Sequence, residues 1–125
     1  MPIVDIQVVA GTVPDPEAIG KEKLQILTDA LGSLFGGDPG SAWVRLRSID
    51  QDSYAENHMA QGTWPAPTFV SVLRMELPES EALRREMKEV AKIVARTLGR
   101  PLENVHVLYE PGARGRIGFG GMLRD

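Results

Sequence analysis

The feature that most constrains the fold is a strand–helix–strand pattern that occurs twice along the chain. In the first copy the helical segment ends at Leu34–Phe35–Gly36 before a strand, and in the second copy it ends at Thr97–Leu98–Gly99. A proline follows each glycine within a few residues, at Pro39 and Pro101, as is usual where a helix stops. The two copies therefore form a weak internal repeat of roughly sixty residues.

Four segments alternate apolar and polar side chains with the period of two that is typical of strands. In the first of them Val4, Ile6 and Val8 share one face, and the residues between them are polar. The predicted strands are Pro2–Val9, Trp43–Ile49, Phe69–Leu77 and Val105–Tyr109. A polar excursion over residues 50–67 joins the second strand to the third, and residues 111–125 are predicted to form a turn, a short strand and a loose end.

Two segments have apolar residues at helical spacing. The first helix is expected to begin at Asp15–Pro16–Glu17, where an aspartate N-cap is followed by a proline and an acidic first turn. The second is expected to begin with Ser80 as its cap. The apolar stripes are Leu24, Leu27, Leu31 and Leu34 in the first helix and Leu83, Met87, Val90, Val94 and Leu98 in the second.

This order of elements predicts an α+β fold in a single domain over residues 1–125. A β-α-β crossover makes its two strands parallel and places the helix on one face of the sheet. Two such units, over about residues 2–49 and 68–110, give a four-stranded mixed sheet with both helices on one face, followed by the tail over 111–125. A chain of this size has no third layer, so the other face is expected to pack against further copies in a homo-oligomer.

Composition excludes several classes of function. The chain has no cysteine, which excludes disulfides, thiolate nucleophiles and cysteine-bound metals. His58 and His106 are far apart in sequence and lack the spacing of metal ligands, so a metal site built from histidines is not expected. The 14 basic residues are dispersed and the net charge is −3, which argues against nucleic acid as a partner. No apolar run has the length of a membrane span and the N-terminus does not resemble a secretion signal, so we expect a cytoplasmic protein with no membrane partner.

The N-terminus and the C-terminal half carry a resemblance to a known family. Met1–Pro2–Ile3–Val4 places a proline second, directly before a strand, and the stretches Gly99–Val107 and Ala113–Gly121 end in a glycine-rich pattern. Together with the repeat, these features resemble the tautomerase superfamily, whose members include oxalocrotonate tautomerase, macrophage migration inhibitory factor and the haloacrylate dehalogenases. The resemblance covers nearly the whole chain and indicates the long, fused members, which have two units in one chain and assemble as homotrimers.

The resemblance implies a cofactor-independent tautomerase that moves a proton between the keto and enol forms of a small enol or dienol carboxylic acid. In that family the initiating methionine is removed, and the free nitrogen of the proline, here Pro2, acts as the base. A chain-terminal amine has a pKa of about 7.7–8.0, and nearby cations and burial lower it further. Such a base is neutral near physiological pH and can move a proton next to a carbonyl group. Arginines in a pocket between subunits would hold the anionic substrate.

The resemblance also implies substrate-binding residues. Arg74 lies near the position of substrate-holding arginines, and His106 lies where short tautomerases have a binding arginine. Arg114 and Arg116 would be the nearest cations in the tail, or would only make the tail more soluble, and Arg116 is the one expected to bind substrate. Tyr54 would close over the pocket from its loop, and Ile117 would supply apolar surroundings for the proline. For three of these residues a purely structural role is the alternative. Arg74 would form an interface ion pair, His106 an interface hydrogen bond, and Tyr54 would anchor its loop.

The sequence departs from the pattern of particular branches at several positions. Thr12 stands where short tautomerases carry another binding arginine, so the carboxylate must be held differently here. Leu77 and Glu79 stand where the dehalogenase and decarboxylase branches have paired arginines, which argues against those two reactions. Arg45 and Arg47 belong to the first unit and are expected to form structural ion pairs.

Two other functions remain open at this point. The first is a hydratase or dehalogenase-type enzyme on an unsaturated acid, in which protonated Pro2 assists and Glu110 activates water. The second is a trimeric binding protein that has the fold and no catalytic activity. A retained Met1 would favour the second, because the nitrogen of Pro2 would then be an amide.

Overall fold

A four-stranded sheet and a separate two-stranded hairpin are present in a computed structural model that describes residues 1–10, 20–60 and 66–125. The helices and strands are β1 (Ile3–Val9), α1 (Lys21–Phe35), β2 (Trp43–Ile49), β3 (Thr68–Leu73), α2 (Ser80–Leu98), β4 (Val105–Tyr109), β5 (Ile117–Phe119) and β6 (Met122–Arg124). Short 3-10 turns occupy Gln51–Ser53 and Leu102–Asn104. The expected helix start at Asp15–Pro16–Glu17 and the departure at Thr12 lie outside the described residues.

The sheet joins two β-α-β units through its centre. Its strand order is β2–β1–β3–β4. β1 runs parallel to β2, β3 runs parallel to β4, and the central pair of β1 and β3 is antiparallel. In the central register Ile3 lies opposite Leu73 and Val8 lies opposite Thr68. The four-stranded mixed sheet predicted from the sequence is confirmed.

The core lies between the sheet and the two helices. Val4, Ile6 and Val8 of β1 are completely buried, as their alternation predicts. The same cluster contains Val70 and Val72 of β3, Leu27 and Leu31 of α1, and Val90, Val94 and Leu98 of α2. Burial of each such side chain contributes about 1.5–3 kcal/mol relative to leaving it exposed. Since both helices contribute to one cluster, they cover the same face of the sheet, as predicted.

The helix ends match the sequence at their C-termini and differ at one N-terminus. Gly36 and Gly99 follow α1 and α2 with φ angles of 71° and 66°, a conformation that is costly for residues with a Cβ atom. The predicted cap at Ser80 is wrong by one residue, because Glu79 is the N-cap and Ser80 is already helical. The carbonyl of Glu79 accepts the first helical hydrogen bond, from the N–H of Leu83 at 2.7 Å.

Two predicted elements differ in extent by more than one residue. β3 ends at Leu73, four positions before the predicted end at Leu77. The chain bends at residues 75 and 76 and then reaches Pro78, which has no N–H for a strand ladder. The tail is more ordered than predicted, since β5 and β6 form a hairpin in which Ile117 lies opposite Arg124. The residues expected as a loose end are therefore a strand.

The face of the sheet that turns away from the helices is called here the open face. It carries the alternate side chains of the strands, among them Asp5, Gln7, Phe69, Ser71, His106 and Leu108. Leu108 is 63% exposed there, although it is a large apolar side chain.

Within the described residues, no helix is long and apolar enough to cross a membrane. The same residues contain no cluster of metal-binding side chains with three members.

Candidate active site

A cavity of about 620 Å³ lies where β1 begins and β3 ends. We call it the Pro2 cavity. It is lined by Met1, Pro2, residues 35–38, Ser41, residues 74–78 and Arg114. The lining comes from the chain start, the end of α1, the turn after β3 and the tail. The cavity therefore gathers polar and charged groups from segments that are distant in sequence.

Pro2 is held in the wall of this cavity by its own backbone. The side chain is buried, and the carbonyl oxygen accepts the N–H of Trp43 at 3.0 Å. Proline has no N–H to donate, so it suits the position just before the first strand residue, Ile3. Its nitrogen is attached to Met1, which lines the same cavity.

Arg74 brings a cation to the cavity from the end of β3. Its Nη1 donates to Oε1 of Glu86 on α2 at 2.6 Å, and the two side chains are 26% and 13% exposed. The guanidinium also lies over the ring of Phe35, with the carbon Cζ 5.4 Å from the ring centre. Among the described residues, these are the contacts that fix the side chain of Arg74, and they leave Nε and Nη2 without a protein partner.

Glu86 is in turn bonded to a tyrosine. The hydroxyl of Tyr109, at the end of β4, donates to Oε2 of Glu86 at 2.5 Å. Burial raises the pKa of Tyr109 well above its ordinary value, and the hydrogen bond and charge of Glu86 raise it further, whereas the charge of Arg74 lowers it. The hydroxyl therefore stays protonated and acts as a donor. Sequence analysis gave no reason to single out Glu86 or Tyr109, because their contact with Arg74 joins three different elements.

Arg114 is the second cation at the Pro2 cavity. Its Nε donates to Oε1 of Glu76 at 2.6 Å, and the two side chains are 51% and 69% exposed. Its Nη1 donates to the backbone oxygen of Asp125 at 3.1 Å. An ion pair as exposed as this one contributes little to stability. Another carboxylate can therefore replace Glu76 at small cost.

Backbone pairing of the tail places Arg114 at the cavity. The N–H of Ala113 donates to the carbonyl of Arg74 at 2.9 Å, and the N–H of Arg114 donates to that of Met75 at 3.1 Å. Gly112 makes this approach possible, since a Cβ atom there would lie 2.9 Å from the carbonyl oxygen of Met75. Nothing in the local sequence pattern indicates that the tail pairs with this turn.

Two of the predicted site residues lie on the tail but outside the lining of the Pro2 cavity. The guanidinium of Arg116 is exposed and donates to the carbonyl oxygens of Pro111 and Gly112 at 2.9–3.1 Å. Ile117 is half-buried in β5. In one chain, therefore, Arg114 lines the Pro2 cavity and Arg116 does not.

His106 and Tyr54 each lie against Phe69, away from Pro2. The ring of His106 is exposed on the open face with its centre 5.9 Å from that of Phe69, and Tyr54 lies at the same distance from Phe69. Phe69 is four positions along β3 from Leu73, which lies opposite Ile3. At about 3.3 Å per residue, this separates the two groups by about 13 Å within one chain. The hydroxyl of Tyr54 donates to Glu56 at 2.8 Å. Burial, as the larger cause, and the hydrogen bond and charge of Glu56 raise the pKa of Tyr54 to about 12.

The open face has a cavity of its own, of about 530 Å³. Arg47, His106 and Glu110 are among its lining residues. Glu110 accepts a hydrogen bond from Ser71 at 2.9 Å, so in one chain it is not at the Pro2 cavity.

The two arginines of β2 differ in their contacts. Arg45 forms the ion pair expected of it, with two hydrogen bonds of 2.5 and 2.8 Å to Asp5 directly opposite. Both side chains are exposed on the open face, at 64% for Arg45 and 37% for Asp5. Arg47, two positions along the strand, has no ion-pair partner in the part of the chain that the structure describes.

Comparison with known proteins identifies solved structures that share this fold. No protein-family profile matches the sequence, and no curated protein matches it significantly. Solved structures do match over almost the whole chain. A fused 4-OT described as the W0 wild-type symmetric trimer has a TM-score of 0.72 and 17% identity, covering 96% of this chain and 96% of its own.

Two further structures match at similar levels. Pt0534 inactivated by 2-oxo-3-pentynoate has a TM-score of 0.71 and 21% identity, covering 98% of this chain and 94% of its own. A macrophage migration inhibitory factor homologue from Prochlorococcus marinus has a TM-score of 0.70 and 18% identity, covering 96% of each chain. With the mixed sheet and the two helices on one face, these matches show that the chain has the fold of the tautomerase superfamily.

Proposed function

We propose that this protein is a cofactor-independent tautomerase that interconverts the enol and keto forms of a small enol or dienol carboxylic acid. The observation that carries the proposal is the position of Pro2 in the wall of a cavity that Arg74 and Arg114 also line. A base and two cations in one cavity are the groups that proton transfer on an anionic enol requires.

In this proposal Met1 is removed, and the nitrogen of Pro2 becomes a secondary amine. An ordinary chain-terminal amine has a pKa of about 7.7–8.0. Burial and the guanidinium groups of Arg74 and Arg114 both disfavour a charged amine, so we expect the freed nitrogen to be largely neutral at pH 7. A base with this pKa is well matched to proton transfer at physiological pH.

The reaction is an isomerisation and needs no co-reactant. Pro2 takes the proton of the enol hydroxyl. The carbon that carried this hydroxyl becomes the carbonyl carbon, and its double bond to the neighbouring carbon becomes a single bond as that carbon is protonated. The prolyl ammonium then returns a proton to the neighbouring carbon. Arg74 and Arg114 bind the substrate carboxylate and stabilise negative charge on the enolate oxygen, with Arg114 exchanging Glu76 for the substrate.

The protein is further proposed to act as a homotrimer. The fused 4-OT structure described above is a symmetric trimer. The open face of this chain supports the same assembly, because it leaves Leu108 63% exposed and Trp43 45% exposed. In the trimer, His106 and Tyr54 of one subunit and Arg116 and Ile117 of another would complete the pocket around Pro2. A cytoplasmic location is part of the same proposal.

The test is ketonisation of phenylenolpyruvate by protein whose mass shows that Met1 is absent. We expect Pro2→Ala to lower kcat/KM by about 10²- to 10⁴-fold, the usual contribution of a general base. A second preparation, in which an added residue keeps the nitrogen of Pro2 in a peptide bond, should lose activity to the same extent. Equal rates in the wild-type and Pro2→Ala proteins would refute the proposal.

A further inference from the structure

The structure points to a second set of residues behind the proposed site. Arg74 reaches the Pro2 cavity from the end of a strand, a position from which a long side chain can adopt many rotamers. Here it is held by Glu86 at 2.6 Å and by the ring of Phe35 at 5.4 Å. The carboxylate that holds it is only 13% exposed, so this pair is more shielded from water than a surface ion pair.

Tyr109 fixes the carboxylate of Glu86. Each oxygen of Glu86 has its own partner, since Oε1 accepts from Arg74 and Oε2 accepts from Tyr109 at 2.5 Å. Two hydrogen bonds from different elements fix both the position and the plane of a carboxylate. Because Arg74 uses only Nη1 for Glu86, its remaining N–H groups are available to a ligand in the cavity.

We propose that Glu86 and Tyr109 are positioning residues that orient Arg74 for the carboxylate of the substrate. The inference rests on the proposed function for the identity of the ligand, a small carboxylic acid. Neither residue lines the Pro2 cavity, so both act through Arg74 and do not touch the substrate. A guanidinium held in this way binds a carboxylate without first losing side-chain entropy.

Two variants test this without changing the net charge. Tyr109→Phe removes the hydroxyl that anchors Glu86, and Glu86→Asp draws the carboxylate back by one methylene. Each is expected to raise the KM for phenylenolpyruvate about three- to tenfold with a smaller change in kcat, as the loss of part of a charge-assisted contact would. Glu89→Asp is the matched control, because Glu89 lies on the same helix and pairs with Lys92 at the exposed surface at 3.3 Å.

A double-mutant cycle shows whether the effect passes through Arg74. Arg74→Gln can still bond to Glu86 but has no charge for the substrate. In that background Tyr109→Phe should have no further effect on KM. An undiminished effect would mean that Tyr109 acts by another route and would overturn the proposal.

Calorimetry with two unreactive probes makes the test independent of Pro2. The wild-type protein is expected to bind 3-phenylpropanoate more tightly than the uncharged 3-phenylpropanamide, and Tyr109→Phe and Glu86→Asp should each reduce this preference about three- to tenfold. If Pro2→Ala is fully active, the proposed function fails while this measurement still decides the role of Glu86 and Tyr109. A preference that is absent in the wild type, or unchanged in both folded variants, would overturn the inference. If Tyr109→Phe does not fold, Glu86→Asp alone decides.

Discussion

Gly112→Ala tests whether the tail is docked on the turn after β3. The added Cβ would lie 2.9 Å from the carbonyl oxygen of Met75 and 3.5 Å from the Cα atom of Glu76. Ordinary contacts of a Cβ atom begin at about 3.4 Å, so the contact with the oxygen is too short by about 0.5 Å. The oxygen cannot move freely, because it accepts the N–H of Arg114 at 3.1 Å. The methyl group must therefore displace the backbone that carries Arg114.

Overpacking of this kind costs about 1–3 kcal/mol. For a chain of 125 residues, each kcal/mol corresponds to about 4 °C in Tm. We therefore expect Gly112→Ala to lower the Tm by about 4–12 °C in calorimetry at a fixed protein concentration. If the proposed function holds, the KM for a carboxylate substrate should rise as well, because Arg114 moves.

Gly32→Ala is the matched control for this substitution. Gly32 lies within α1, and the nearest atom to an added Cβ there is that of Ala42 at 3.8 Å, an ordinary contact. Alanine is favoured over glycine inside a helix by about 1 kcal/mol, so this variant should unfold about 4 °C higher. An unchanged or raised Tm for Gly112→Ala, beside a normal result for Gly32→Ala, would refute the close approach of the tail.

Two further predictions concern the core and the tyrosines. Leu31→Ala should destabilise the protein by about 2–5 kcal/mol in denaturant unfolding because Leu31 is completely buried, whereas Ile26→Ala on the exposed side of the same helix should change stability by at most about 0.5 kcal/mol. If both cost the same, the assigned face of α1 would be wrong. Burial, as the larger cause, and Glu56, as the smaller, raise the pKa of Tyr54 to about 12. Burial and then Glu86 likewise raise the pKa of Tyr109. The folded state thus holds the two hydroxyl protons more tightly than the unfolded chain does. The protonated tyrosines therefore stabilise the fold below about pH 10, and this contribution is lost as the pH rises above that value. Native tyrosines that ionise near pH 10 in an ultraviolet titration would contradict this.

The sequence predicted most of the fold because its strongest signals are local. β2 and β4 have the predicted bounds, since alternation marks both strands and a proline lies close to each end of β4. β3 does not, because its predicted end ran through apolar residues that leave the sheet at the bend after Leu73. The bend lies at Met75 and Glu76, and neither is a glycine or a proline that would mark it in the sequence.

The candidate site was harder to predict for the same reason. Arg74 was named from its place in the chain, and the structure puts it at the Pro2 cavity. Arg116 was preferred over Arg114, and the choice between them depends on the pairing of residues 113 and 114 with residues 74 and 75. Glu86 and Tyr109 gave no signal, since an acidic residue on a helix is most often solvated and a tyrosine at a strand end is most often core.

The antiparallel centre of the sheet gives the molecule two ends that are alike in backbone and unlike in chemistry. At one end the first unit starts with Pro2, beside a cavity. At the opposite end Pro67 comes directly before β3, as Pro2 comes before β1. Pro67 follows Ala66, which is buried with Val9 in a small apolar cluster against Tyr54 and Phe69. The nitrogen of Pro67 lies in a peptide bond within the chain and cannot be released by removing one terminal residue. Under the proposed mechanism, duplication of the scaffold has therefore not duplicated the reactive nitrogen, and a trimer would hold six units but only three bases.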